Sequence, residues 1–303
     1  MHKLYILAFS IFSLFLLSAC EPSTPATEGT ISTVSNNGSA FAIAEDPIRV
    51  TPTLDTSNQS EAIIPVSGGS LITTAADGTL FRLDIPANAL VADTLIRMTP
   101  VSQLDGMPFG SNPLAVQLEP EGMQFYAPVI LTITPAQEIP INQQLFFTYQ
   151  GMGENLALAL PVVDSPEIKL ELQHFSGYGV TKGFLADIEP VRARIGGTAV
   201  ARLQSAVAEE LGRARQRALL GVEDDTPLDL TSYFQQYDEQ VIQPRHAAAG
   251  ERCAAGRLAI QTALGYDRQR QLLGIEGDAN VGDVGARQQS QQLCVDIEGA
   301  LSQ

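Results

Sequence analysis

A multidomain α and β protein is predicted by three features of the 303-residue chain: period-two hydrophobicity over 61–183, helical spacing from residue 184 onward, and a late cysteine pair. The expected architecture is an antiparallel β-sandwich followed by a small disulfide-linked α-helical bundle.

The strand reading rests on alternation. Phe81, Leu83 and Ile85 share one face, with Arg82 and Asp84 opposite. Val129, Leu131 and Ile133 repeat the pattern, with Thr132 and Thr134 outward, and Ile168, Leu170 and Leu172 do so again around Lys169 and Glu171. Side chains alternate across a strand, so each run presents one apolar and one polar face. Turn chemistry separates the runs at Gly68-Gly69, Asp77-Gly78, Pro86-Ala87-Asn88 and Pro120-Glu121-Gly122.

The helix reading rests on three–four spacing in a segment rich in Ala, Arg, Gln and Leu. Thr198 is placed to cap a helix after the Gly196-Gly197 break. Val200, Leu203, Val207, Leu211, Ala214 and Ala218 then form one apolar stripe. Leu230, Tyr233, Phe234, Tyr237 and Val241 form a second, stopped near Pro244. A third helix is expected over about 246–272 and a fourth over about 286–301, carrying Cys253 and Cys294. A bridge between these two cysteines would clamp helix three to helix four and stabilise the fold by about 4 kcal/mol in the chain-entropy picture.

The N-terminus carries an address. A short basic start (His2, Lys3) precedes an apolar run from Leu4 to Leu17, too short to span a bilayer as a helix and suited to a secretory signal. Leu17-Ser18-Ala19-Cys20 follows, and this resembles the lipobox of bacterial lipoproteins. The resemblance implies acylation of Cys20, cleavage before it, and membrane attachment through the lipid. It also implies an oxidising compartment, in which Cys253 and Cys294 would pair. Glu21 after the acylated cysteine resembles enterobacterial sorting signals for the outer membrane rather than the inner one.

Charge narrows the partners. The chain holds 18 Lys and Arg against 34 Asp and Glu, a net charge of −16. No basic patch with interleaved aromatics occurs, so a nucleic-acid partner is not expected. Anionic headgroups should repel the body, leaving the acyl chains as the membrane contact. Arg192, Arg194, Arg213, Arg215 and Arg217 read as a solvated helix face balanced by Glu209 and Glu210.

The sequence lacks the nucleophile elbow, the zinc-protease helix motif, the phosphate-binding loop and the dinucleotide glycine pattern. Beyond the signal it has two histidines, His174 and His246, too few for a multi-histidine metal site. The acidic loop Glu276–Asp283 departs from the calcium-loop pattern, because Gly282 stands where a ligand is needed. No cofactor or metal is expected.

An ordered set of segments rises above this background. Val66-Ser67-Gly68-Gly69-Ser70-Leu71 is followed by Asp77-Gly78-Thr79-Leu80 and by Leu83-Asp84-Ile85-Pro86-Ala87-Asn88-Ala89-Leu90. Leu118 to Phe125 and Pro128 to Ile133 come next, and His174-Phe175-Ser176-Gly177-Tyr178-Gly179-Val180 closes the set. Together they resemble the ZU-type β-sandwich of zonula-occludens proteins, netrin receptors and ankyrins over about 62–182. In some death-domain relatives of that family, and in an unrelated nucleoporin, the same His-Phe-Ser tripeptide cuts itself. The resemblance implies that Ser176 attacks the Phe175–Ser176 peptide with His174 as base. His174 is in phase with Ile168, Leu170 and Leu172 and is expected to point inward.

The expected organisation is therefore a signal peptide (1–19), a disordered tether from Cys20 (20–60), the ZU-type sandwich (61–183) and a helical domain (184–303). The leading functional expectation is a lipid-anchored, non-catalytic scaffold that contacts another protein of the cell envelope. Self-processing between Phe175 and Ser176 is the alternative. A hydrolase site in the helical region, built from Asp224, Asp225, Asp229, Asp238 and His246, is the second alternative.

Overall fold

A computed structural model of the chain describes residue 44, residues 46–223, and positions 231, 234, 235 and 239. Twelve strands occur in this region: β1 (Thr51–Leu54), β2 (Ser60–Ile64), β3 (Gly69–Thr74), β4 (Leu80–Ile85), β5 (Thr94–Asp105) and β6 (Ser111–Glu119). They continue with β7 (Gln124–Thr134), β8 (Gln144–Gln150), β9 (Glu154–Leu158), β10 (Leu160–Pro161), β11 (Ile168–His174) and β12 (Gly177–Lys182). A 3-10 segment, Leu185–Arg194, and one long helix, α1 (Ala199–Leu220), follow.

The strands form two antiparallel sheets. The larger has the order β1-β5-β6-β12-β8-β9, with β2 also pairing β5, and the smaller has the order β10-β11-β7-β4-β3. Their facing sides share one core, built from Phe81, Leu83, Leu131, Leu170 and Leu172 of the smaller sheet and Ile96, Met98, Leu118, Tyr178 and Val180 of the larger. Alternation along each strand produces this face, as the period-two runs require.

The larger sheet is buried on its other face as well. In β8, Phe146 joins the core between the sheets, while Leu145, Phe147 and Tyr149 join a second core. That second core contains Ile188 and Ile195 from the stretch before the helix, and Leu203, Val207 and Leu211 from α1. It also takes Ile48 and Val50 from the N-terminal lead and Phe234 from beyond the helix. A strand buried on both faces loses its polar alternation, and Gln144-Leu145-Phe146-Phe147-Thr148-Tyr149 reads that way.

This arrangement corrects the expected fold class. The described part of 184–303 is not a small helical bundle: α1 is the single long helix there, and it lies on β9 and β10 as a third layer of the β-structure. The helix begins where expected, with the Thr198 hydroxyl accepting the Ala201 N–H at 3.2 Å. It ends at Gly221, which adopts a left-handed conformation. Its apolar stripe is buried at Leu203, Val207 and Leu211 and half-buried at Val200 and Ala214, but Ala218 is exposed, and the stripe's partner is a sheet. The outer faces of β8 and β9 offer Phe147, Tyr149 and Leu158 as an apolar surface that must be covered. The third and fourth expected helices and the Cys253–Cys294 pair lie outside the described residues, and the correction of the bundle rests on α1 packing against a sheet.

The N-terminal boundary also differs from the expected 20–60 tether. Residues 46–60 belong to the folded body: Ile48 and Val50 are buried, and β1 and β2 both pair with β5.

Polar residues fasten α1 to the edge of the larger sheet. The Leu158 N–H donates to Ser205 Oγ at 3.0 Å, and Gln204 Nε2 donates to the Leu158 carbonyl at 2.9 Å. An exposed sheet edge invites pairing with another chain, and these two side chains occupy it. Leu203→Ala, at a fully buried position, should cost about 2–5 kcal/mol. Urea unfolding followed by far-ultraviolet circular dichroism and by tyrosine fluorescence should keep one shared transition at a lower midpoint. A strand signal that stayed at the wild-type midpoint would mark α1 as a separate folding unit.

Candidate functional site

The site lies where the chain passes from sheet to sheet twice, side by side. Residues 120–123 carry it from β6 in the larger sheet to β7 in the smaller, and Phe175-Ser176 carries it back from β11 to β12. The two crossings are hydrogen-bonded to each other. Leu118 N–H donates to the Ser176 carbonyl at 3.1 Å, Gly122 N–H to the Phe175 carbonyl at 2.9 Å, and Phe175 N–H to the Met123 carbonyl at 2.8 Å. The Phe175 ring is fully buried and meets Phe125 edge-on, with ring centroids 4.7 Å apart.

Ser176 is completely buried, and its hydroxyl donates to Glu121 Oε1 at 2.9 Å. The same carboxylate oxygen accepts the Gly151 N–H at 2.9 Å, and Oε2 accepts from Gln117 Nε2 at 2.9 Å. Glu121 is exposed as a residue, yet both of its carboxylate oxygens are hydrogen-bonded within the protein. Burial raises its pKa above the usual carboxylate value, and the nearby Glu154 charge pushes the same way. The three hydrogen bonds oppose that rise without cancelling it.

Two strand-pairing features build this corner. The register of β11 against β7 shifts between Leu172 and His174, where two residues of β11 pass five of β7. Gly177 matters for space: a Cβ there would meet the Tyr149 ring at 2.0 Å. The absent side chain lets that ring lie across β12. The buried Tyr149 hydroxyl makes no hydrogen bond among the described residues, and burial followed by the Glu121 charge raises its pKa.

His174 points inward, as its phase with Leu170 and Leu172 predicts, and its ring lies beside the core residue Tyr178. Its Nδ1 lies 3.3 Å from the Phe175 carbonyl oxygen and 3.4 Å from the Tyr178 hydroxyl. Tyr178 donates its own proton to the His174 carbonyl at 2.9 Å. With oxygens facing Nδ1 and that proton already used, the network assigns the ring hydrogen to Nδ1. Burial lowers the pKa of the ring, so it is neutral at pH 7. The Phe175 carbonyl oxygen thus faces two donors, Gly122 N–H and His174 Nδ1–H.

The tripeptide noticed in the sequence is brought together, but its partners are not those expected. Glu121 was missed as a functional candidate. Its one signal was the Pro120-Glu121-Gly122 turn, and an acid in a turn normally faces water. Cys20, Cys253, Cys294, Asp224, Asp225, Asp229, Asp238 and His246 lie outside the described residues. The arginines divide. Arg192 and Arg213 both pair with the buried Glu209, Arg217 with Glu210, and Arg194 with Asp46. Arg215, expected on a solvated face, is 1% exposed. It donates to the Glu167 carbonyl at 3.0 Å and lies over the Phe146 ring. Among the described residues, no three His, Cys, Asp or Glu side chains come together as a metal site, and no helix is long and apolar enough to cross a membrane.

No protein-family model matches the chain, and no curated protein sequence is similar to it.

The lowered His174 pKa has a consequence for stability. The unfolded chain binds a proton near the ordinary value of 6.5, while the folded ring resists it. Stability from this group is present above pH 6.5 and is lost as pH falls towards the folded pKa. His174→Gln should flatten that part of the stability–pH curve, measured as urea midpoints at a series of pH values. An unchanged acid-side slope would show that other groups set it.

Proposed function

We propose that this chain is a lipid-anchored scaffold of the cell envelope, acylated at Cys20 and presenting a rigid β-body to a protein partner. The observation that carries the reading is the way the N-terminal lead enters the fold. Ile48 N–H donates to the Arg194 carbonyl at 3.2 Å, Leu156 N–H to the Ile48 carbonyl at 3.0 Å, and Val50 N–H to the Gly153 carbonyl at 2.8 Å. Arg194 adds an ion pair to Asp46 at 2.7 Å. The approach is so close at Gly153 that a Cβ would lie 1.8 Å from the Val50 carbonyl oxygen. Residues 46–50 are thus stitched at one place to β9 and to the stretch before α1. Load brought in along that lead would reach the larger sheet and the stretch before α1 together.

The lipobox resemblance supports attachment, Glu21 supports the outer membrane, and the −16 charge supports holding by lipid alone. The ZU-type resemblance supports an interaction module. On its surface, the facing residues Ile63 of β2 and Leu95 of β5 are 68% and 51% exposed, a cross-strand apolar pair open to contact.

Self-processing between Phe175 and Ser176 is kept as a second reading. The pair of donors on the Phe175 carbonyl oxygen favours it, since donors so placed would stabilise charge developing there.

Cys20→Ser should move the protein from the detergent phase to the aqueous phase on phase partitioning and leave the body folded. A photo-crosslinking residue at Ile63, in intact cells, should give one discrete adduct. Retention of the Cys20→Ser protein in the detergent phase would remove the lipid anchor. A smear or no adduct would remove Ile63 as a contact.

A further inference from the structure

We infer that Glu121 is the base that takes the Ser176 proton when the Phe175–Ser176 bond is cut, and that His174 acts as a donor to the Phe175 carbonyl oxygen. This rests on the self-processing reading above and changes the chemistry that the tripeptide alone implies.

Geometry carries the assignment. The Ser176 hydroxyl points its hydrogen at Glu121 Oε1 at 2.9 Å, within the range required of a general base. The imidazole Nδ1 lies at the Phe175 oxygen and the Tyr178 hydroxyl, where the tautomer assigned above from the hydrogen-bond network places its hydrogen. An Nδ1 that bears a hydrogen cannot accept another proton. Gln117 and the Gly151 N–H hold the carboxylate in place, so little reorganisation is needed before the transfer.

The step balances with water as the single co-reactant. Ser176 Oγ bonds to the Phe175 carbonyl carbon as its proton passes to Glu121 Oε1. Negative charge gathers on the carbonyl oxygen, opposite Gly122 N–H and His174 Nδ1–H. The carbon–nitrogen bond then breaks, and the proton held by Glu121 goes to the departing Ser176 nitrogen. The product is an ester between Phe175 and the Ser176 side chain. Water hydrolyses it, giving a Phe175 carboxylate and a free Ser176 amine and hydroxyl.

Burial makes the carboxylate a stronger base than an ordinary glutamate. The other titratable groups facing it are Glu154 and the hydroxyls of Tyr149 and Tyr178, none of which contacts Ser176 Oγ.

The test uses the full chain, incubated with and without hydroxylamine across a range of pH and read by denaturing gel and mass. Hydroxylamine traps an ester as a hydroxamate on Phe175, and Ser176→Ala is the blank. Glu121→Gln keeps an oxygen to accept the Ser176 hydrogen bond but cannot take its proton. It should slow cleavage by about 10²–10⁴-fold and abolish the acid limb of the rate–pH profile. Glu121→Asp, a second variant in case the first does not fold, should retain that limb at a lower rate. His174→Gln should cut slowly but keep the limb. If the wild type stays one chain even in hydroxylamine, self-processing falls and Glu121's role with it. If Glu121→Gln cuts at the wild-type rate while His174→Gln does not cut, self-processing stands and the Glu121 assignment is overturned.

Discussion

The structure depends on the hydrogen-bonded pair of sheet crossings at 120–123 and 175–176. Two facing sheets gain little sliding resistance from apolar packing alone, because burial is non-directional. Here the chain passes between them twice in adjacent places. Each crossing supplies the backbone partners the other needs: Phe175 gives its N–H to Met123 and receives one from Gly122, while Ser176 receives one from Leu118. A buried, unpaired peptide group costs far more than the roughly 1 kcal/mol a made bond contributes, so this mutual satisfaction fixes the corner. Phe175 and Phe125 fill the space between, and the β6–β12 ladder starts directly beyond, at Gly177 and Gln117.

The third layer follows from what the two sheets leave uncovered. Strand β8 is buried on both sides, and its outer side of Leu145, Phe147 and Tyr149 needs a cover, which α1 with the segments around it provides. The helix's buried polar residues, Gln204, Ser205, Glu209 and Arg215, seem out of place only if its face is taken to need apolar residues throughout. Gln204 and Ser205 close the β9 edge, and Glu209 draws in Arg192 and Arg213. Arg215 reaches across to the carbonyls of Pro166 and Glu167.

Amphipathic spacing showed that residues 199–220 form a helix and which side is apolar, because that follows from 3.6-residue periodicity. It could not show what that side packs against. Four amphipathic stripes in a row suggested helices packing on one another, whereas the apolar run Leu145-Phe146-Phe147 in β8 was the clue that a sheet also wanted a partner. Strand phase was legible for Phe81, Leu83, Leu131 and Leu170 because their ladders run without interruption. What it did not show is the shift before His174, where two residues of β11 pass five of β7: His174 still faces the core residue Tyr178, and nothing in Leu172-Gln173-His174 announces the interruption. Glu121 was invisible for a different reason. Its partners, Gly151, Ser176 and Gln117, come from three separate segments, and no local spacing brings them together.

The position of the corner also decides what a cut there would do to the body. Strand β12 begins one residue after Ser176 and lies in the middle of the larger sheet, paired with β6 on one side and β8 on the other. Strand β11 ends one residue before Phe175 and is held between β7 and β10. A break at Phe175–Ser176 therefore severs the chain without removing any ladder, and α1 stays packed on strands from the other fragment. Scission and scaffolding are thus compatible in this fold. The N-terminal lead at Ile48 would still hold the 3-10 segment through the Ile48–Arg194 hydrogen bond, and that segment would belong to the downstream fragment. What a cut would relax is the tie between crossings: Ser176 would become a chain end, free to leave Glu121 and Leu118. The two fragments would then be joined through hydrogen bonds and packing alone.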